Sequence, residues 1–441
     1  MRGDHMTISI GRPTETGPRD GLGARLAARV DIDAGSLPAF VFNDREVYER
    51  ELGAIFGRCW LMVAHVSEIP EPGDYVTRTM GTSPVIVVRD EKGEVQVFLN
   101  ACRHRGMRVC RADLGNASHF RCPYHGFTYK NSGELVGVPF QKAAYGDILD
   151  RQRLRLLSAR CAVSHGLVFA TWHPDAPTLE EYLGHLGWYL DLYLGRAEME
   201  VFGPPQRWEM PTNWKIPAEN GASDAYHTAH THASLPKIGL IVGGSKFAEA
   251  GYHVHAGNGH GLGLGMPTDE LVFPSEMLDE YRRRLRPEQF QTLIQVKNSH
   301  CTLFPNLTFV LSSARLEGEI VSHLNMQLWQ PRGPDRTEVL SWGLVEKDAS
   351  PRWKERARRH YIITFGASGV FEQDDAENWM DITRNCGSPV AQSLDFLYLQ
   401  GLGRQPATDF PGPGEVYPSK YSENNARAFY RRWLELMLHD D

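Results

Sequence analysis

The spacing of hydrophobic and polar positions changes several times along the chain. Tyr48, Leu52, Ile55 and Phe56 stand at i, i+4, i+7 and i+8, which predicts a helix with one buried face. Asn43 and Glu46 have capping-box spacing, so the helix is expected to start there. From about 60 to 175 the period shortens to that of strands. PVIVVRDEKGEVQVFLN reads as two β-branched runs around a turn at Asp90–Gly93, a hairpin. CAVSHGLVFATW reads as another strand pair, and the whole stretch predicts a small β domain. Beyond about 180, strand-like runs (TLFPNLTFVLSSARL, HLNMQLWQP, TEVLSWGLVEK) mix with helical ones. Antiparallel strands with helices packed on one side, an α+β arrangement, are predicted. Phe429, Trp433, Leu436 and Met437 share one face of a terminal helix. The first ~38 residues, rich in Gly, Pro, Arg and Asp, predict a loose segment. GNGHGLGLG (257–265) has no helical pattern after it, so it reads as a flexible loop rather than a phosphate cradle.

A length of 441 residues suggests about two or three domains. Apolar content of 41% and charged content of 23% are ordinary for a globular protein. The net charge of -7 gives no bias toward nucleic acid. No apolar run approaches the ~20 residues of a membrane helix, and the first residues lack the apolar core of a signal peptide. Met6 is expected as the natural start, with the residues before it a scar, and a cytoplasmic location is expected. The seven cysteines are an odd, sparse set, unlike a disulfide framework. Cys102, Cys110 and Cys122 nevertheless crowd together, which suggests local chemistry.

Cys102-x-His104 and Cys122-x-x-His125 each pair a thiolate with an imidazole, donors that can wrap a metal. A structural zinc takes two Cys and two His. A Rieske cluster takes two Cys on one iron and two His on the other. Zinc fingers usually keep like ligands together, whereas here each loop offers one of each and can span both irons of a cluster. Gly106 and Gly126 follow the histidines closely, where tight turns aim backbone N–H groups at the sulfides.

On the Rieske reading, carrying electrons needs no long C-terminal part, so that part is expected to use them. SDAYHTAHTHAS (223–234) holds Asp224, His227, His230 and His232. Two imidazoles and a carboxylate suit ferrous iron with positions left open for O₂ and substrate. Spacing alone favours His227 with His230, neighbours on a helix face, or His230 with His232 on a loop. His227 and His232 are five apart, roughly 140° around a regular helix. FEQDDAENW (371–379) supplies Glu372, Asp374, Asp375 and Glu377, which alone read as an exposed acidic loop.

CRHRG and CPYHGFTY resemble the two loops of Rieske iron–sulfur domains. ENGASDAYHTAHTHAS resembles the catalytic segment of aromatic-ring-hydroxylating dioxygenase large subunits. AHVSEIPEPGDYV (64–76), HCTLFPNLTF (300–309), WGLVEKD (342–348) and ARAFYRRWLELM (426–437) extend the resemblance over nearly the whole chain. It implies an all-β Rieske [2Fe-2S] domain at 59–179 and a catalytic domain of antiparallel sheet covered by helices at 180–441. Residues 1–58 then pack with the catalytic domain. Cys102 and Cys122 are implied on one iron and His104 and His125 on the other, with Cys110 a non-ligand. His227, His232 and Asp375 are implied on a mononuclear Fe(II). The first helix is then distorted or ends between the two histidines, as at a π-bulge. His230 becomes a pocket neighbour. Asp224 is implied to bridge His227 to His125 of the next chain, in a homotrimer of alpha subunits that a small beta subunit completes as α₃β₃.

The resemblance further implies NADH electrons arriving through a separate reductase and a ferredoxin, and O₂ added to an aromatic ring to give a cis-dihydrodiol. Asn220, Gly221, Thr228, Asn298, His300, Phe365 and Phe371 match pocket-lining positions. Gly221 stands where relatives can carry a phenylalanine, which hints at room for a larger ring system. No Lys or Arg is evident at these positions, which favours a neutral bicyclic or polycyclic aromatic hydrocarbon. The competing readings are a monooxygenase or hydroxylase on the same scaffold, a dioxygenase for an aromatic acid such as salicylate, benzoate or phthalate, and a zinc-stabilised binding protein. No nucleic acid or membrane partner is expected.

Overall fold

The computed structural model describes residues 21–238, 240, 251–268 and 270–439. The strand-like runs of the second half form one antiparallel sheet of nine strands among the described residues. At its centre Leu307–Leu316 pairs with Asn298–Leu303 on one side and Glu319–Gly333 on the other, and Glu319–Gly333 pairs with Arg336–Glu346. Side chains alternate along a strand, so register sorts them by face. Leu303, Leu307, Phe309, Leu324, Met326 and Leu328 fall on one face and join the main hydrophobic core. Asn298, His300, Thr302, Thr308, Asn325 and Gln327 fall on the other. That polar face is also buried, because the helices Lys215–Ser223 and Pro351–Phe365 pack over it.

The segment Gly261–Gly265 is a buried strand of this sheet, not the flexible loop its glycines suggested. Leu262 and Leu264 face the core, and the three glycines face the polar side. A Cβ on Gly263 would lie 2.1 Å from His300 Nε2, and one on Gly265 2.3 Å from Asn298 Oδ1. The glycines therefore make room for those side chains.

The residues from 60 to 175 form smaller antiparallel sheets, as predicted. One has the order Val95–Leu99, Ser83–Arg89, Asp74–Met80, Leu114–Asn116, and another joins His119–Arg121, Thr128–Lys130 and Leu135–Gly137. They share a second core around Ile86, Val88, Phe98, Phe120 and Tyr129. Both expected hairpins form. Asp90 caps the first turn by accepting from Lys92 N and Glu94 N. His165 and Gly166 turn the second with positive φ, as a two-residue hairpin turn requires.

The expected loose start lies outside the described residues as far as 20, and Gly21–Arg29 is a helix that buries Leu22 and Leu26. The next helix is Arg45–Ala54, and its cap is Asp44 rather than Asn43. Asp44 Oδ1 accepts from Glu46 N at 2.7 Å and Val47 N at 3.2 Å, while the Asn43 amide donates to Thr383 O. Tyr48 and Leu52 are only half-buried, and Val47 and Glu51 lead the inner face. Glu51 is fully buried for a reason the hydrophobic pattern cannot reveal. Its carboxylate accepts from Lys215 Nζ at 2.7 Å and from the indoles of Trp214 and Trp433 at 2.8 Å each. This joins the Arg45–Ala54 helix to the start of Lys215–Ser223 and to the terminal helix Asn424–Leu438, whose Phe429, Trp433, Leu436 and Met437 are buried as predicted. Among the described residues no helix is long and apolar enough to cross a membrane.

Glu51→Gln leaves the Lys215 ammonium buried without its carboxylate. The expected loss is about 3–5 kcal/mol of stability, measured by denaturant unfolding; a change below about 1 kcal/mol contradicts this role.

Candidate metal centres

Two loops of the small β sheets share the same internal hydrogen bonds. In the first, Cys102 N donates to Met107 O and Gly106 N to Cys102 O, both at 2.8 Å. In the second, Cys122 N donates to Phe127 O at 2.8 Å and Gly126 N to Cys122 O at 3.0 Å. Gly106 and Gly126 have φ of 74° and 76°, the left-handed region that these turns need. Both cysteines are buried, and His104 Nδ1 and His125 Nδ1 face one another at 3.1 Å. The Tyr129 hydroxyl accepts from Arg103 N at 3.0 Å, which leaves its own hydrogen for Cys102 Sγ at 3.4 Å. Burial pushes the Cys102 thiol up, so a thiolate there needs a metal to hold it. Burial, and then His125, lowers His104 and keeps it in the neutral form a ligand needs. Cys110 stands apart, with Sγ directed at Ala112 O. Two thiols and two imidazoles gathered in this way fit a cluster with thiolates on one iron and imidazoles on the other.

The second group forms where the Lys215–Ser223 helix stops. Asp224 ends it at φ -89° and ψ 81°. Thr228–Thr231 is then a single turn, with His227 before it and His232, at φ -101° and ψ 25°, after it. The two histidines flank this turn, and their Nε2 atoms come within 3.3 Å. The spacing argument for His227 with His230 assumed a continuous helix. The chain has no such helix here and no π-bulge either, and His230 is exposed.

FEQDDAENW is not an exposed loop. It begins the helix Val370–Cys386, which buries Phe371, Glu372 and Asp375. Asp375 Oδ1 lies 3.3 Å from His227 Nε2 and 3.2 Å from His232 Nε2. Donors at right angles, ~2.1 Å from a metal, stand ~3 Å apart, so this triangle fits one face of an octahedral ion and leaves the opposite face open.

A carboxylate holds the outer nitrogen of each ring. His227 Nδ1 faces Asp224 Oδ1 at 3.4 Å, and His232 Nδ1 faces Asp374 Oδ2 at 3.2 Å. These contacts fix the tautomers that turn both Nε2 lone pairs inward. Burial would raise the Asp375 pKa, but hydrogen bonds from His227 and His232 pull it down to about 2. Burial likewise opposes charge on His227, but Asp224 and Asp375 outweigh it and raise its pKa to about 10. So strong a hold on one proton marks a site that favours a cation. Asp374 was not picked out by sequence reasoning. The available signal was that adjacent residues on a helix point ~100° apart, so one aspartate of the pair can face each side of His232.

A cavity opens beside the triangle, between the polar face of the sheet and the helices. Asn220, Gly221, Thr228, Asn298, His300, Phe365 and Phe371 all line it. Phe365 and Phe371 stack with centroids 5.0 Å apart, and Phe371 also meets the His232 ring. Three expectations need correction. Gly221 does not widen the cavity: a Cβ there would lie 2.4 Å from Thr308 Cγ2 and 2.7 Å from Thr302 Oγ1, because the helix rests directly on the sheet. His230 does not line the cavity among the described residues. A basic group does: Lys420 is buried with Nζ 3.5 Å from Asn298 Oδ1, and burial, then Lys297, lowers its pKa to about 8. Lys420 is far from the metal motifs in sequence, and only the fold brings it to the cavity.

Residues 59–157 match the Rieske [2Fe-2S] domain family, and residues 179–439 match the ring hydroxylating alpha subunit (catalytic domain) family. The chain is 37% identical to the chlorobenzene dioxygenase alpha subunit of Cupriavidus sp. (strain PS12), over 97% of this chain and 98% of the relative. It is 38% identical to the biphenyl 2,3-dioxygenase alpha subunit of Rhodococcus jostii (strain RHA1), over 95% of this chain and 92% of the relative. The crystal structure of naphthalene 1,2-dioxygenase from Rhodococcus sp. bound to indole superposes with a TM-score of 0.88 at 46% identity, covering 91% of this chain and 94% of that one. The cluster loops, the histidine–aspartate triangle and the cavity thus lie in a chain that belongs to the alpha subunits of the Rieske non-haem iron ring-hydroxylating dioxygenases.

Proposed function

We propose that His227, His232 and Asp375 hold the mononuclear Fe(II), and that Cys102 and Cys122 hold one iron of the [2Fe-2S] cluster and His104 and His125 the other. The enzyme adds both atoms of O₂ to a neutral bicyclic or polycyclic aromatic hydrocarbon and releases a cis-dihydrodiol. The observation that carries this reading is the triangle of donor atoms, 3.2–3.3 Å on each side, at the wall of an aromatic-lined cavity. Residues 59–179 make up the Rieske domain and 180–441 the catalytic domain, with the described part of 1–58 packed against the latter.

When bound, the iron supplies the O₂ chemistry. The chain supplies position. The stacked Phe365 and Phe371 offer a flat apolar wall for a ring. Lys420 is compatible with a neutral substrate, because an ammonium is attracted to an aromatic face. The aromatic substrates named for the relatives support this class.

Asp224 has a second task in this reading. Its carboxylate holds His227 and remains 37% exposed, which leaves an oxygen for His125 of a neighbouring subunit. A carboxylate between two imidazoles orients both and gives electrons a short route. That arrangement requires an oligomer, read as a homotrimer from the family resemblance, and the exposed apolar Val390, Leu394 and Leu397 suit subunit contact. A small beta subunit completing α₃β₃, delivery of NADH electrons by a reductase and ferredoxin, and a cytoplasmic location belong to the same proposal.

With the electron chain reconstituted, ¹⁸O₂ is expected to place both labelled atoms in the product of naphthalene, biphenyl or phenanthrene. Turnover of benzoate or salicylate in their place contradicts the substrate class. At saturating Fe(II), Asp224→Ala is expected to fill both metal sites yet lose about 100-fold in turnover; normal activity removes the bridging role. Asp374→Asn is expected to weaken Fe(II) binding about 10–100-fold while sparing the cluster, as equilibrium dialysis with iron and sulfide analysis would measure. Unchanged affinity in that variant means Asp374 does not orient His232.

A further inference from the structure

The proposed reaction consumes protons: an arene, O₂, two electrons and two protons give one cis-dihydrodiol. NADH supplies the electrons, and a hydrocarbon has no acidic proton to offer. Among the described residues, the ionisable side chains lining the cavity are Asp224, His227, His232, His300, Glu372, Asp375 and Lys420. Asp224, His227, His232 and Asp375 form or orient the metal triangle. His300 Nδ1 faces Gly221 O at 3.0 Å. A carbonyl only accepts, so Nδ1 carries the hydrogen, and the buried Nε2 is a bare lone pair that cannot donate. Lys420 Nζ lies 3.5 Å from Asn298 Oδ1, and unlike Glu372 it stands on no element that carries a residue of the triangle.

Glu372 is different. It is 2% exposed and stands one helical turn before Asp375. Oε2 accepts from Gln327 Nε2 at 2.6 Å, and Oε1 is buried with no hydrogen-bond partner. Among the described residues, Gln327 from the sheet, the Tyr361 phenol from the Pro351–Phe365 helix and Asp375 from its own helix act on it, and none of these three is cationic. A buried carboxylate with one oxygen unmatched and another carboxylate nearby is disfavoured relative to the neutral acid. Burial raises its pKa, the Gln327 bond opposes that rise and Asp375 adds to it, leaving a value of about 8.

We propose that Glu372 is the acid that supplies protons to the oxygenation. Its O–H bond breaks as an O–H bond forms on the oxygen being reduced. The carboxylate then takes a proton from solvent water, once for each of the two protons. This rests on reading the cavity as the O₂ and arene site.

Two variants of the holoenzyme test it. Glu372→Gln keeps the shape and the pairing with Gln327 but has no proton to transfer, and Glu372→Asp keeps an acid. Without turnover, difference infrared spectra of the resting wild type against Glu372→Gln are expected to show a protonated-carboxyl C=O band at pH 7. That band should give way to carboxylate as pH rises through about 8. With naphthalene and O₂, re-oxidation of the reduced cluster in Glu372→Gln is expected to slow about 100-fold at unchanged iron content. The wild-type rate should fall as pH rises through about 8, and Glu372→Asp should recover part of the loss. A missing infrared band, a wild-type rate and pH profile in Glu372→Gln, or loss of iron from that variant would each overturn the proposal. Failure of the wild type itself to oxidise naphthalene would remove the substrate reading and leave the infrared result standing.

Discussion

Three donor atoms, His227 Nε2, His232 Nε2 and Asp375 Oδ1, are held within 3.3 Å of one another by protein alone. They come from segments well over a hundred residues apart in the chain; His232 and its partner Asp374 are separated by 142 positions. Convergence of this kind needs supports that cannot slide. The helix leading to His227 is tied at its start by the buried Glu51–Lys215 pair and at its middle by contact with the sheet, where Gly221 has no room even for a methyl group. Asp224 and Asp374 then fix the two rings from outside. The acids around the site suit a cation: buried negative charge is tolerable where a cation joins it.

The sheet explains how a cavity can be polar on one wall and still belong to a folded core. Period-two alternation gives the strands an apolar face for the main core and a second face of Asn, His, Thr, Ser and Gln that the helices bury. A face with so few large apolar groups contributes less hydrophobic stabilisation, but it leaves space and hydrogen-bonding groups beside the histidine–aspartate triangle. The GLGLG strand shows the division most plainly, with leucines toward the core and glycines beneath His300 and Asn298.

What could be read from the sequence was mostly local. The hairpin at Asp90–Gly93, the paired Cys–His loops and the terminal helix depend on neighbours in the chain, and each was legible from spacing. The choice of His232 over His230 was not, because it depends on where a helix breaks, and the family resemblance was needed to make it. Asp375 also came from resemblance alone. Glu51, Lys420 and Glu372 act through partners distant in sequence, so no spacing could mark them. Gly261–Gly265 was misread because glycine carries no hydropathic signal, although its alternation with leucine was visible.

The central claim is that this triangle binds an iron separate from the cluster. Iron and acid-labile sulfide analysis of the wild type beside Asp375→Ala tests it most directly. The account predicts that the wild type holds iron in excess of its sulfide, and that Asp375→Ala loses only that excess while keeping its sulfide and red-brown colour. An unchanged iron-to-sulfide ratio in the variant, or a colourless wild type loaded with zinc, would contradict it.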